Sequence, residues 1–296
     1  MIGWADLYKV VTAMAPLYFA LALGYGSVRW WKLFTPDQCG AINRLVIYFA
    51  YPFFGFDLAA RSGTFAASYR VLAADVVTKA GIAVAIAGCA AACRVSSYSW
   101  CITGFSLVAL NNAMLMGVPL LDAMYGGWAH DVAVQMAMMQ IIVWFPLLLV
   151  VFEARQAWLE MALSVAPDQE APVSDVGEPD DVDGRKTTGW HLELPGIVNG
   201  SVLIMSKTGI GLGMFSMGLF IALQDKFIMC GARLTLLSLV LRFVAGPAAA
   251  AIGATVVGLR GDLLRFAVVQ AALPQSVATF NYAREYDLHA DILSTA

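Results

Sequence analysis

"SLVALNNAMLMGVPLLDAM", residues 106–124, sets two adjacent amides, Asn111 and Asn112, in the middle of an apolar run, with Gly117 and Pro119 close behind. Amides want hydrogen-bond partners, and a bilayer core offers none. Glycine and proline both weaken a helix. The stretch is therefore either a poor helix or one broken for a purpose, and its surroundings decide between the two.

Those surroundings are membranous. The chain has 296 residues, 60% hydrophobic and 13% charged, with a mean hydropathy of +0.72. Soluble domains run near 45–50% apolar and ~25% charged. The fold class is thus an all-α polytopic membrane protein whose first partner is the lipid bilayer. A net charge of −3 leaves no footprint for nucleic acid. The five cysteines have no paired spacing with one another or with histidine, so no metal, cofactor or disulfide framework is expected. His130, His191 and His289 are solitary and near span ends. No serine–histidine arrangement accompanies them, so the chain does not read as an enzyme. The first apolar stretch is long, carries Pro16 and lacks a small-residue cleavage site, so it reads as a span and not as a signal peptide.

A core ~30 Å thick needs about 20 helical residues. Apolar runs of that length lie near 7–28, 39–60, 71–92, 100–122, 132–152, 197–223, 229–257 and 262–283, about eight spans. Between the fifth and sixth lies "PDQEAPVSDVGEPDDVDGRKTTG", residues 167–189, acidic and without apolar period, which reads as a disordered loop. The organisation is a first repeat over 1–153, a short acidic cytosolic loop over 154–190 and a second repeat over 191–296. With the N-terminus outside, the inner connections carry Arg29, Lys32, Arg94, Arg155, Arg185 and Lys186, against Lys9, Arg61 and Arg70 outside. The positive-inside rule favours this orientation.

Asp75 and Lys79 stand four residues apart on one helix face inside a span, acid before base. Each alone costs ~2.5–3.5 kcal/mol at mid-bilayer, and intramembrane ionisable residues are functional by default. Asn43, Arg44, Lys207 and Arg242 lie in or near spans and take the plainer reading of snorkelling or inter-helix hydrogen bonding. Gly209 and Gly213 in "TGIGLGMFSMGLF" make a small-residue face for close helix packing.

The last span repeats the opening puzzle. "VVQAALPQSVATFNYAREY", residues 268–286, holds Gln270, Pro274, Gln275, Thr279 and Asn281 in an apolar run, and Pro274 frees a backbone carbonyl. Two interrupted polar helices in corresponding places mark an inverted-repeat transporter with its site at the midplane. Asn111, Asn112, Pro274 and Gln275 are the candidate substrate-binding residues, with Asp75 and Lys79 as a supporting pair.

"MIGWADLYKVVTAMAPLYFALALGYGSVRWWKLFTPDQCGAINRLV", "MGLFIAL", "VGLRGDLLRFAVVQAALPQ" and "REYDLHADILST" resemble the PIN-FORMED auxin efflux carriers of plants, over nearly all of the chain outside the loop. The short loop is similar to that of the short-loop subgroup, associated mainly with the endoplasmic reticulum more than the plasma membrane. The resemblance implies ten helices in two inverted repeats. The first two helices of each repeat form a scaffold and the other three a transport domain that moves as an elevator. It implies indole-3-acetate as substrate, exported from the cytosol down the membrane potential, and a homodimer built on the scaffold. The family's crossover asparagine falls on Asn112, its acid–lysine pair on Asp75 and Lys79, and its second crossover proline on Pro274.

The chain also departs from that pattern. Asn111 stands where a proline is expected, Ala113 where a threonine is expected and Thr279 where a further proline is expected. Most of the sixth helix is missing before "WHLELPGIVNG", and the tenth is absent after "DILSTA". Counting crossings without the sixth predicts a second repeat that enters from the wrong side and cannot form the inverted crossover. The competing expectation is a truncated membrane protein that does not transport, or that regulates full-length carriers.

Overall fold

The computed structural model describes residues 4–61, 69–92, 98–164, 196–224, 231–286 and 288–293. Among them the structure is helical throughout, and the single β-type pairing is the bridge Asn111–Gln275. Five stretches are long and apolar enough to cross a bilayer: Tyr8–Arg29, Tyr69–Ala92, Gly127–Met161, Gly200–Leu223 and Ala232–Val256. Two shorter apolar helices, Tyr98–Ala109 and Ala113–Tyr125, accompany them. The acidic loop lies outside the described residues, as does His191.

Helix α1 (Trp4–Arg29) carries Pro16 within it. A turn leads to α2 (Pro36–Leu45), whose start is fixed by a capping box. The Thr35 side chain accepts from the Gln38 N–H, and the Gln38 side chain accepts from the Thr35 N–H. A π-helical turn, Val46–Ala50, joins α2 to α3 (Tyr51–Arg61). Next come α4 (Tyr69–Ala92) and α5 (Tyr98–Ala109). After a break, a π turn Ala113–Gly117 continues into α6 (Val118–Tyr125). Helices α7 (Gly127–Met139) and α8 (Phe145–Ser164) form one long span through the π turn Gln140–Trp144. The second half holds α9 (Gly196–Leu223), then α10 (Ala232–Val240) joined by the π turn Leu241–Ala245 to α11 (Gly246–Val256). Helix α12 (Asp262–Ala271), a second break, α13 (Val277–Glu285) and the single turn α14 (Ala290–Leu293) end the described chain.

The direction of α9 decides the topology. Ser206 donates to Asp57 at 2.8 Å, and Ser216 donates to Asn43 at 3.1 Å. A Cβ on Gly209 would sit 2.6 Å from Phe54, and one on Gly213 would sit 2.9 Å from Tyr51. As α9 advances its partners recede along α3 and α2, so α9 runs antiparallel to them and parallel to α1. Gly24 and Gly218 bring α1 and α9 to backbone contact, where a Cβ on Gly218 would lie 2.0 Å from the Leu21 carbonyl oxygen. Every connection from α1 to α7 is too short to cross a ~30 Å core, so α8 ends on the face where α1 ends. Helix α9 therefore begins on the opposite face. The expectation of a flipped second repeat is not met: α9 has the direction an inverted repeat requires, and the two broken helices cross. The small-residue face Gly209/Gly213 packs on α3 as expected.

Candidate functional site

The two breaks meet. Asn112 donates its backbone N–H to the Pro274 carbonyl at 2.9 Å, and Asn111 and Gln275 form the isolated bridge. Irregular backbone in a lipid-embedded bundle needs its polar groups satisfied from within. The chain does this for the backbone carbonyls that follow, while the side-chain oxygens Asn111 Oδ1, Gln270 Oε1 and Gln275 Oε1 have no partner in the protein. Pro274 cannot donate to the carbonyl four residues back, that of Gln270. The Asn111 side-chain nitrogen donates to that carbonyl instead, at 2.5 Å. The Asn111 carbonyl accepts from Gln140 Nε2 at 2.7 Å, and the Ser106 carbonyl accepts from Gln275 Nε2 at 3.0 Å. The Asn112 carbonyl accepts from the N–H groups of Met116 and Gly117, which starts the next half-helix.

Four further carbonyls accept from Arg242, which has 0% exposure. Its Nε donates to Leu273 at 2.6 Å. Nη1 donates to Leu107 at 2.9 Å and to Leu110 at 3.2 Å, and Nη2 donates to Ala271 at 3.2 Å. One guanidinium thus closes the C-terminal ends of both α5 and α12, where partial negative charge collects. Sequence reasoning gave Arg242 the plainer role of snorkelling or inter-helix bonding. Its real partners lie far off in sequence, and the one available signal was an arginine in the middle of an apolar run.

The N-terminal ends of the other two half-helices face the opposite way, into a cavity of about 470 Å³. Ala113, Met114 and Leu115 line it from one half-helix, and Ser276, Val277 and Ala278 from the other. Its lining also includes Tyr51, Phe56, Phe145 and Tyr282. Asn112 is 6% exposed and lines the cavity, and its side-chain nitrogen has no partner in the protein. Asn111 lines it too. Pro274 and Gln275 shape the crossing behind it and do not line it. Gln275 Nε2 is taken by Ser106 and by Thr279 Oγ1, the latter at 2.7 Å.

Asp75 and Lys79 pair at 2.8 Å with side-chain exposures of 11% and 6%, and the Lys79 ammonium lies 5.0 Å from the centre of the Trp144 ring. They line a second cavity of about 30 Å³ with Asn111 and Gln270. Asn111 is therefore the partition between the ion pair and the larger cavity. Of the plainer readings, Asn43 bonds across helices to Ser216, while Arg44 and Lys207 are exposed. His289 accepts or donates at Thr103 Oγ1, 2.9 Å away, and packs on Trp100. Among the described residues no group of histidine, cysteine and carboxylate side chains could hold a metal ion.

Residues 9–181 and 187–296 match the family described as membrane transport protein. The chain is 55% identical over 352 residues to "Probable auxin efflux carrier component 5b" of Oryza sativa subsp. japonica, covering all of this chain and 94% of the relative. It is 47% identical over 329 residues to "Auxin efflux carrier component 5" of Arabidopsis thaliana and 31% identical over 349 to that plant's "Auxin efflux carrier component 8", again over all of this chain and over 93% and 94% of the respective relatives. The first alignment spans 352 positions against 296 residues here, so at least 56 positions face no residue of this chain.

Proposed function

This chain belongs to the auxin efflux carrier family of membrane transport proteins, and from that premise we propose that it exports indole-3-acetate from the cytosol by an elevator movement of the crossover domain. The observation that carries the reading is the unpartnered Asn112 side-chain nitrogen, facing a cavity into which two half-helix N-termini also point. Donors and positive dipole ends suit a carboxylate. The aromatic wall of Tyr51, Phe56, Phe145 and Tyr282 suits an indole ring. About 470 Å³ falls within the range of small-ligand pockets.

In this reading the substrate carboxylate accepts from Asn112 and from the free N–H groups at the starts of the two half-helices. Asn111, Pro274 and Gln275 hold the crossing in shape. Asp75 and Lys79 stiffen α4 behind it, where a neutral pair avoids the cost of a lone buried charge. Helices α1–α3 and α9, held together by Ser206–Asp57 and Ser216–Asn43, are the scaffold, and the homodimer forms on it. The site of action is the endoplasmic reticulum membrane, with auxin homeostasis inside the cell as its consequence.

A second reading rests on two features: α8 ends and α9 begins on opposite faces, and the relatives align with extra positions. On that reading the chain is a non-transporting regulator of longer carriers. Efflux of labelled indole-3-acetate from proteoliposomes separates the two. Efflux above protein-free vesicles, lost in Asn112→Ala, supports the carrier. No efflux favours the regulator.

A further inference from the structure

Charge inside the membrane is scarce enough to count. Among the described residues the buried charged side chains are Asp57, Lys79 and Arg242, with Asp75 nearly so. Asp57 sits on α3 and bonds to Ser206 on α9, both in the proposed scaffold. Asp75 and Lys79 sit on α4 and form a pair of zero net charge. Arg242 remains. No carboxylate among the described residues pairs with it. Its four bonds run to backbone carbonyls of both crossing helices, so it travels wherever the crossover travels. An arginine stays protonated in a protein. Helix ends add dipoles but no net charge.

We propose that Arg242 is a positioning residue that also serves as the permanent counter-charge of the moving domain. The domain is neutral with indole-3-acetate bound and carries one positive charge when empty. The inference rests on the carrier reading above. Its consequence concerns where voltage acts. An inside-negative potential leaves the loaded outward step unaffected and draws the empty, positive domain back toward the cytosol. Each cycle still moves one negative charge outward, so the driving force is unchanged and only the step that feels it differs. One charge across 100 mV is worth ~2.3 kcal/mol, which at a symmetric barrier changes a rate on the order of sevenfold.

The test uses the full chain in proteoliposomes with the potential clamped by potassium and valinomycin. Labelled indole-3-acetate is followed in two regimes: exchange, with substrate on both sides, and net efflux into substrate-free medium. Exchange visits loaded states alone, while net efflux includes the empty return. The expected result is an exchange rate that stays within about twofold between 0 and −100 mV, with net efflux rising severalfold. In Arg242→Gln the loaded domain carries the substrate's charge uncompensated, and exchange becomes voltage-dependent. Arg242→Lys keeps the charge, loses the fork, and slows exchange without making it voltage-dependent. A merely structural role slows both variants and moves neither dependence. Wild-type exchange as voltage-sensitive as net efflux overturns the inference and leaves the carrier reading standing, and this holds even if Arg242→Gln fails to fold. Absence of any wild-type flux removes the carrier reading and the inference with it.

Discussion

The Asn111 side-chain nitrogen lies 2.5 Å from the Gln270 carbonyl oxygen, the acceptor that Pro274 cannot serve and to which the Leu273 N–H donates at 3.4 Å. One broken helix repairs the other. Asn111→Ala removes the shorter of these two bonds, at a cost of about 0.5–1.5 kcal/mol. Asn111→Pro loses the same side-chain bond. Both variants should unfold several degrees earlier than wild type in detergent, by differential scanning fluorimetry. Unchanged melting would show that the bond contributes nothing.

Asn112 behaves oppositely. Its backbone holds the crossing to Pro274, but its side-chain nitrogen has no partner inside the protein. Replacing the amide by a methyl group removes a buried, unsatisfied donor. Asn112→Ala should therefore melt at or slightly above the wild-type temperature while losing most indole-3-acetate efflux. A charge-assisted hydrogen bond contributes ~1.5–3 kcal/mol, so affinity should fall at least tenfold. Transport and stability measured on one preparation check this, and retained transport would withdraw Asn112 from the substrate.

The ion pair makes a non-additive prediction. Removing one member of a buried pair strands the other and costs about 3–5 kcal/mol, whereas removing both is far less damaging. Asp75→Ala and Lys79→Ala should each fold poorly, and the double variant should fold better than either. Lys79 faces the further constraint of the Trp144 ring 5.0 Å away. Yield of monodisperse protein by size-exclusion chromatography ranks the three.

These sites differ in how far the sequence exposed them. The breaks at Asn111–Asn112 and Pro274 were legible because amides and proline are out of place in an apolar run, whatever surrounds them. Asp75 and Lys79 were legible because helical spacing alone sets them on one face. Arg242 was not. An arginine in a span can snorkel to the interface or turn inward, and which it does depends on whether orphan carbonyls lie within reach. Those of Leu107 and Leu110 come from more than 130 residues away. The direction of α9 was misjudged for a related reason. Counting crossings treats each span as an independent rod, while the direction of α9 shows in the order of its contacts with α3 and α2, at Gly209, Gly213 and the Ser206–Asp57 and Ser216–Asn43 bonds.

The close approach of α9 to α1 gives the last prediction. A Cβ on Gly218 would lie 2.0 Å from the Leu21 carbonyl oxygen and 2.8 Å from the Tyr25 nitrogen. Both are backbone atoms, so no side chain can swing aside, and the helices must separate. A Cβ on Gly211 of the same helix meets nothing within 4 Å. Both substitutions by alanine raise helix propensity by about 1 kcal/mol. That gain stands alone at Gly211, whereas at Gly218 overpacking of about 1–3 kcal/mol or more opposes it. Gly211→Ala should leave melting unchanged or raise it, and Gly218→Ala should lower it, although the two changes are chemically identical. Equal effects at the two positions would mean that α1 and α9 do not approach as described.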